Sequence, residues 1–86
     1  MWHVYVVECA DGTFYTGIAK DVNARVNAHN KGMGARHTRI KGSVKLRYFE
    51  DFPDMASAMR REKEVKKFHT REKIHLIAYG SGQKFN

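Results

Sequence analysis

The start of the chain has the pattern of a β-hairpin, and this pattern limits the possible folds more than any other. The segments WHVYVVE (2–8) and TFYTGIA (13–19) are rich in β-branched and aromatic residues, and the ADG between them (10–12) has the composition of a turn. Strands joined by so short a connection pair antiparallel. The sequence therefore predicts a hairpin over residues 2–19.

The length of the hairpin loop decides which side chains share a face, because side chains alternate along a strand with a period of two. A two-residue turn would place Tyr5 and Tyr15 on opposite faces. A three-residue loop (10–12), with Gly12 in the left-handed conformation, would place Tyr5 opposite Gly17 and both tyrosines on one face. In that case we expect a notch at Gly17 where a bulky ligand can approach the backbone. Two tyrosines that simply pack in a strand pair are the ordinary alternative.

The rest of the chain predicts one more strand and three helices. The predicted elements are a helix from its N-cap Asp21 to about Lys31, a strand over 44–50, a long helix from Pro53 and Asp54 to about Phe68, and a short helix from its cap Thr70 to Ile77. The order ββαβαα indicates a small α/β sandwich, with helices on one or both faces of a sheet. We expect one domain over residues 1–78 and a flexible tail over 79–86.

The composition is that of a small globular protein. Its 86 residues, 42% of them hydrophobic, can bury a single modest core. The single Cys9 cannot close an internal disulfide, the apolar run over 2–7 is too short for a secretion signal, and no segment approaches membrane-spanning length. We expect a cytoplasmic protein.

The net charge of +7 is unevenly distributed. No acidic residue occurs between Asp21 and Glu50, and the basic residues of this interval are Arg25, His29, Lys31, Arg36, His37, Arg39, Lys41, Lys45 and Arg47. Such a region attracts polyanions, of which the phosphate backbone of nucleic acids is the commonest. A basic surface that only maintains solubility is about as common among proteins of this charge.

Both longer helices carry candidate site residues. Arg25 and His29 are four residues apart, so they lie on one face of the first helix, beside its apolar stripe. An Arg25 that covers apolar surface and an exposed His29 are the neutral alternative. The predicted apolar arc of the second long helix consists of Met55, Ala58, Met59 and Val65.

Glu62 falls near the centre of this arc, where a carboxylate is costly unless it is paired or binds a metal. Two interpretations are open. One is an ion pair with a basic neighbour such as Arg25. The other is a Mg²⁺ ion held by one carboxylate and waters beside a phosphate.

In their order and spacing, these residues resemble the motif positions of the GIY-YIG nuclease superfamily, in particular its small stand-alone members, over residues 1–77. The matching positions are Tyr5 of the first half-motif, Tyr15 and Gly17 of the second, the helix arginine Arg25, His29, and the metal-binding glutamate Glu62. The resemblance implies a three-stranded antiparallel sheet flanked by helices, a bound Mg²⁺ or Mn²⁺, and hydrolysis of DNA phosphodiester bonds.

The sequence departs from the family pattern at two positions near these motifs. His3 stands where glycine is frequent, which is a mild change. Relatives similar to the excision-repair nucleases carry a lysine directly after the second half-motif, where this chain has Ile18. We expect Lys20, two residues further on, to take the place of that lysine.

The resemblance also implies a division of roles. Tyr5 would orient or deprotonate the attacking water, for which cationic neighbours must lower its pKa from the usual value of about 10. Tyr15 and His29 would hydrogen-bond the base, the water or a phosphate oxygen, and Arg25 would bind the scissile phosphate. The residues expected to hold flanking phosphates without reading the base sequence are Lys20, Arg36, His37, Arg39 and Lys41.

Three functions are compatible with this sequence. The first is a metal-dependent DNA endonuclease of little sequence specificity, with duplex, single-stranded or branched DNA as the substrate. The second is a catalytically weak nucleic-acid-binding module, which the altered lysine position favours. The third is a vestigial protein-interaction domain of the same fold. A nuclease of this size is expected to be either weakly selective or directed by a protein partner.

Overall fold

A computed structural model describes residues 1–32 and 43–85, which form an antiparallel sheet with helices on both faces. The described elements are β1 (Trp2–Cys9), β2 (Phe14–Ala19), α1 (Val22–Asn30), β3 (Val44–Phe52), α2 (Met55–Lys66), α3 (Thr70–Tyr79) and β4 (Gln83–Lys84). The strand order is β2-β1-β3-β4. The predicted α+β fold is confirmed, with four strands instead of three. No helix in these two stretches is long and apolar enough to cross a membrane.

The hairpin has the three-residue loop. The Cys9 N–H donates to the Thr13 carbonyl at 2.7 Å, and Gly12 adopts the left-handed conformation with φ 87°. Tyr5 lies opposite Gly17 in the register of β1 and β2. Tyr5 and Tyr15 therefore share one face of the sheet, which we call the Tyr5 face.

Each face of the sheet buries its own apolar cluster. The cluster on the Tyr5 face, which α1 covers, consists of Tyr5, Val7, Cys9, Ala19, Val22 and Val44. On the opposite face, α2 and α3 pack against the sheet, and the buried cluster consists of Val6, Tyr48, Val65 and Leu76. A chain of this length thus divides its core between two thin layers. The predicted site residues of β1, β2 and α1 all belong to the first layer.

Side-chain caps fix the starts of α1 and α2 as predicted. The Asp21 carboxylate accepts from the Ala24 N–H at 3.0 Å, and Asp54 accepts from the Ser57 N–H at 2.8 Å. The predicted cap of α3 is wrong by one residue: its N-cap is His69, whose backbone N–H donates to the Glu72 carboxylate at 2.9 Å. The Glu72 side chain, three residues into the helix, satisfies this donor, so Thr70 is already helical.

The buried face of α2 differs from the predicted apolar arc. Ala58 and Val65 are fully buried, but Met55 and Met59 are 45% and 38% exposed, so the assignment of both methionines to the core is wrong. Arg61 occupies the interface instead, where its guanidinium donates to the Glu50 carboxylate of β3 at 2.9 and 3.1 Å. This bidentate pair therefore fills part of the interface between α2 and β3, where the sequence predicted a methionine.

The fourth strand lies in the segment for which the sequence predicts a flexible tail. Gln83 and Lys84 pair with Phe49 and Tyr48 of β3. Tyr48 is fully buried, and its hydroxyl donates to the Glu50 carboxylate at 2.6 Å and accepts from the Gly82 N–H at 3.0 Å. Burial and the bond to Glu50 raise the pKa of Tyr48 to about 12. A two-residue strand has no alternating pattern, so only this contact with β3 reveals it.

Candidate active site

Three aromatic side chains from three elements meet on the Tyr5 face. The hydroxyl of Tyr5, from β1, lies 3.0 Å from Nε2 of His29, from α1. The ring centroid of Tyr15, from β2, lies 6.4 Å from that of Tyr5 and 5.5 Å from that of His29. Tyr5 is 1% exposed and His29 is 2% exposed, so the alternative of an exposed His29 is wrong.

Gly17 makes room for Tyr5 and not for a ligand. A Cβ atom on residue 17 would lie 2.5 Å from the Tyr5 hydroxyl oxygen and 2.7 Å from Cζ of its ring. The notch expected at this glycine is therefore filled by the phenol itself, which corrects the sequence-based interpretation. The glycine allows the Tyr5 ring to pass close to β2, with its hydroxyl within hydrogen-bond distance of His29.

Alanine at position 17 should destabilise the protein by about 1–3 kcal/mol, the usual cost of overpacking a core. The Tyr5 ring is buried and hydrogen-bonded, so it cannot move aside freely. Thermal unfolding should show a fall in Tm of several degrees. In a Tyr5→Phe background the same Gly17→Ala substitution should cost less, because the nearest clashing atom is gone. An equal cost in both backgrounds would show that the hydroxyl is not the cause and that the clash lies with the ring carbons, of which Cζ is 2.7 Å from the added Cβ.

Burial sets the protonation states of the site. It raises the pKa of the Tyr5 phenol, and the neighbouring Tyr15 adds to this increase, while Arg25 acts in the opposite direction. The expectation that cationic neighbours lower the pKa of Tyr5 is therefore wrong, because removal from water outweighs the guanidinium. Burial also lowers the pKa of His29, and Arg25 adds to that decrease. At neutral pH both partners of the Tyr5–His29 bond are uncharged.

Arg25 and Glu62 bring the charged groups to this cluster. Arg25 lies on α1, one turn before His29, and its charge acts on Tyr5 and His29. The Glu62 carboxylate, from α2, adds to the increase in the pKa of Tyr5. The side chain of Glu62 is 17% exposed. Because β2 is an edge strand, side chains of α2 can reach Tyr15 although Val65 packs on the opposite face.

Among the residues that the structure describes, Glu62 forms an ion pair with Lys66. Its ammonium lies 3.4 Å from Oε2 of Glu62 and 6.0 Å from the centroid of the Tyr15 ring. The sequence suggested a basic neighbour such as Arg25 for this pairing, and the structure places Lys66 there instead. The i, i+4 spacing from Glu62 was the signal that could have identified Lys66.

The donor set at Glu62 fits a magnesium-type site. Within residues 1–32 and 43–85 no three His, Cys, Asp or Glu side chains are grouped as in a protein-enclosed metal site. Mg²⁺ commonly needs only one or two carboxylates and completes its shell with waters and substrate phosphates. A half-buried carboxylate beside two phenols suits Mg²⁺ or Mn²⁺ in that mode, but not a structural zinc.

The predicted phosphate-binding residues are only partly covered by the described structure. Lys20 follows β2, and its ammonium lies 5.4 Å from the centroid of the Trp2 ring. Together with Arg25 it lines a cavity of about 380 Å³ at the start of α1. Whether Lys20 replaces the family lysine stays a prediction. Four other predicted contacts lie outside the described residues: Arg36, His37, Arg39 and Lys41.

Comparisons with known proteins agree with this arrangement. The model of the GIY-YIG catalytic domain matches residues 1–75. UPF0213 proteins of the Staphylococcus aureus strains Mu3 and N315 are each 47% identical over 74 residues, which are 86% of this chain and 90% of the relative. The solution NMR structure of a UPF0213 protein from Bacillus halodurans is similar at a TM-score of 0.57 and 42% identity, covering 91% of this chain and 84% of that one. Because this family model covers nearly the whole chain and the relatives are 42–47% identical, the chain belongs to the GIY-YIG nuclease superfamily.

Proposed function

We propose that the protein is a divalent-metal-dependent endonuclease that hydrolyses phosphodiester bonds in DNA with little sequence specificity. The observation that carries this proposal is the buried hydrogen bond between Tyr5 and His29, which lies beside Tyr15, Arg25 and Glu62. Membership of the superfamily supports the class of reaction. Phosphodiester hydrolysis needs an activated water, a cationic group on the phosphate and help for the leaving oxygen, and these five side chains can divide those tasks.

Tyr5 and His29 act together as the base. In the tautomer that carries its proton on Nδ1, neutral His29 accepts a hydrogen bond from the Tyr5 hydroxyl, whose oxygen can accept another from water. As the water attacks, its proton passes to the Tyr5 oxygen while the phenol proton passes to Nε2 of His29. The pair never forms a free phenolate, so a raised pKa of Tyr5 does not prevent catalysis.

Arg25 binds the scissile phosphate. Its planar guanidinium can donate to two non-bridging oxygens at once and neutralise charge that develops on them. The exposure of Arg25 in front of the buried Tyr5–His29 pair suits a group that meets substrate from solvent. Lys20, on the same cavity, would hold a flanking phosphate.

Glu62 would hold Mg²⁺ or Mn²⁺ through its carboxylate, with waters as the remaining ligands. When bound, the ion supplies positive charge to the phosphate and to the leaving oxygen. Tyr15, in ring contact with Tyr5 and His29, keeps both in place and can donate its hydroxyl proton to a phosphate oxygen or to the attacking water.

The decisive experiment measures cutting and binding by the purified protein. Supercoiled plasmid and end-labelled duplex, single-stranded and branched oligonucleotides are incubated with Mg²⁺, Mn²⁺ or EDTA, and binding is followed by fluorescence anisotropy. We expect endonucleolytic products with either metal and none with EDTA. DNA binding without cutting in any metal would instead indicate the binding module that Ile18 suggests. Neither binding nor cutting would indicate a protein-interaction domain.

A further inference from the structure

The ion pair between Lys66 and Glu62 can break at little cost in free energy. Its ammonium is 3.4 Å from the Glu62 carboxylate and its side chain is 50% exposed, whereas that of Glu62 is 17% exposed. Such i, i+4 pairs contribute little to stability when one partner is solvated. The same ammonium lies near the face of the Tyr15 ring. Lys66 is thus held loosely between the carboxylate and the aromatic cluster.

A second lysine, Lys73, lies within electrostatic range of Lys66. Lys73, from α3, is partly buried, and burial together with the charge of Lys66 lowers its pKa. Within the described parts of the chain, no carboxylate lies within ion-pair distance of the Lys73 ammonium. An anion such as a phosphate would relieve the repulsion between these two ammonium groups.

We propose that Lys66 couples metal binding to DNA binding: it neutralises Glu62 in the absence of a divalent ion and, once an ion takes Glu62, binds a DNA phosphate. This inference rests on the proposed function. An ammonium and a divalent cation compete for the same carboxylate oxygens and repel each other when both are close. Displaced from Glu62, the Lys66 side chain is long enough to remain beside Tyr15, where a strand entering the site would pass.

Coupling of this kind is reciprocal. Lys66 weakens metal binding to the free protein and strengthens DNA binding once the ion is present. Each ligand should therefore raise the affinity for the other. A lysine that only tethers Glu62 to the helix, or only contacts phosphate, would not produce this linkage.

The first arm of the test measures Mn²⁺ binding without DNA, by calorimetric titration and by electron paramagnetic resonance of the free ion. Lys66→Met should bind Mn²⁺ about threefold or more tighter than the wild type, as expected for loss of a competing ion pair. Lys63→Met is the matched control, since Lys63 is an exposed lysine beside Glu62 on the same helix, and it should bind like the wild type. Glu62→Gln should not bind Mn²⁺ at this site. Lys66→Arg, which keeps the positive charge, should bind Mn²⁺ with the wild-type affinity.

The second arm measures the affinity for an oligonucleotide in EDTA and in Ca²⁺ over a range of salt concentrations. In Ca²⁺, Lys66→Met should bind DNA several-fold more weakly than the wild type. The slope of its log affinity against log salt concentration should decrease by the amount expected for about one phosphate contact. In EDTA the two proteins should be nearly equal. Circular dichroism and Tm confirm that each variant is folded.

The outcomes separate the two proposals. If wild type and Glu62→Gln bind Mn²⁺ identically, the metal site of the proposed function is wrong, and the coupling falls with it. If Glu62 binds Mn²⁺ but Lys66→Met has the same affinity, only the coupling is overturned. A loss of DNA affinity that is equal in EDTA and Ca²⁺ also overturns the coupling, because Lys66 would then be an ordinary phosphate contact.

Discussion

Glutamine in place of Glu62 should lower the rate of DNA cutting by at least about 100-fold and leave DNA binding intact. The substitution keeps the size of the side chain but removes the charge that would hold the ion, and charge stabilisation of this kind is worth several kcal/mol in a phosphoryl-transfer site. DNA affinity should stay equal or rise slightly, because one negative charge is lost. Plasmid nicking in Mg²⁺ and anisotropy in Ca²⁺ measure the two effects.

Glu64→Gln is the matched control for this substitution. Glu64 lies two residues further along α2 with a side chain that is 63% exposed, and its contact with Arg61 is long at 3.5 Å. Loss of the Glu64 charge should change neither DNA cutting nor DNA binding by more than about twofold, as is usual for a weak surface ion pair. Arg25→Ala should reduce both, since Arg25 is assigned to the phosphate. Wild-type cutting by Glu62→Gln would disprove the assignment of Glu62 as the metal ligand.

Alanine in place of Tyr48 should destabilise the protein by about 3–5 kcal/mol, the usual cost of removing a buried aromatic side chain. Small domains have total stabilities of about 5–15 kcal/mol, so a large fraction of the variant should be unfolded even without denaturant. Tyr48 is 0% exposed and packs with Val6, Val65 and Leu76 between the sheet and two helices. Urea unfolding followed by circular dichroism measures the loss.

Tyr48→Phe isolates the role of the hydroxyl. The variant keeps the ring but leaves the Glu50 carboxylate and the Gly82 N–H without this partner, which should cost about 1–3 kcal/mol. Amide hydrogen exchange should then increase around β4, because Gly82 loses its acceptor. Tyr79→Ala, at a position that is 77% exposed, should change stability little. Unchanged exchange at β4 in Tyr48→Phe would show that this hydroxyl does not hold the C-terminal strand.

Local chemistry made much of the fold predictable. Several local signals act through neighbours in sequence, so their effects can be predicted from the sequence. They are the Ala-Asp-Gly turn between two β-branched runs, the caps Asp21 and Asp54, and Gly32 after α1. The hairpin, α1, β3 and α2 follow from them. The candidate site residues were identified through their resemblance to a known motif, and Glu62 also through its position on a face of α2 that is half-buried in the structure.

What the sequence could not decide depends on contacts between distant segments. The pattern allowed a two- or three-residue loop, and only the register of β1 and β2 placed both tyrosines on one face. The partner of Gly17 is a ring twelve residues away, and Arg61 lies in the interface of α2 because it pairs with Glu50 of β3, which is distant in sequence. The raised pKa of Tyr5 is a consequence of burial, which α1 completes. The sequence by itself indicated which residues to expect at the site. The tertiary structure determined which of them lie on one face, which are buried and which are paired, because desolvation and long-range pairing exist only once the layers have packed.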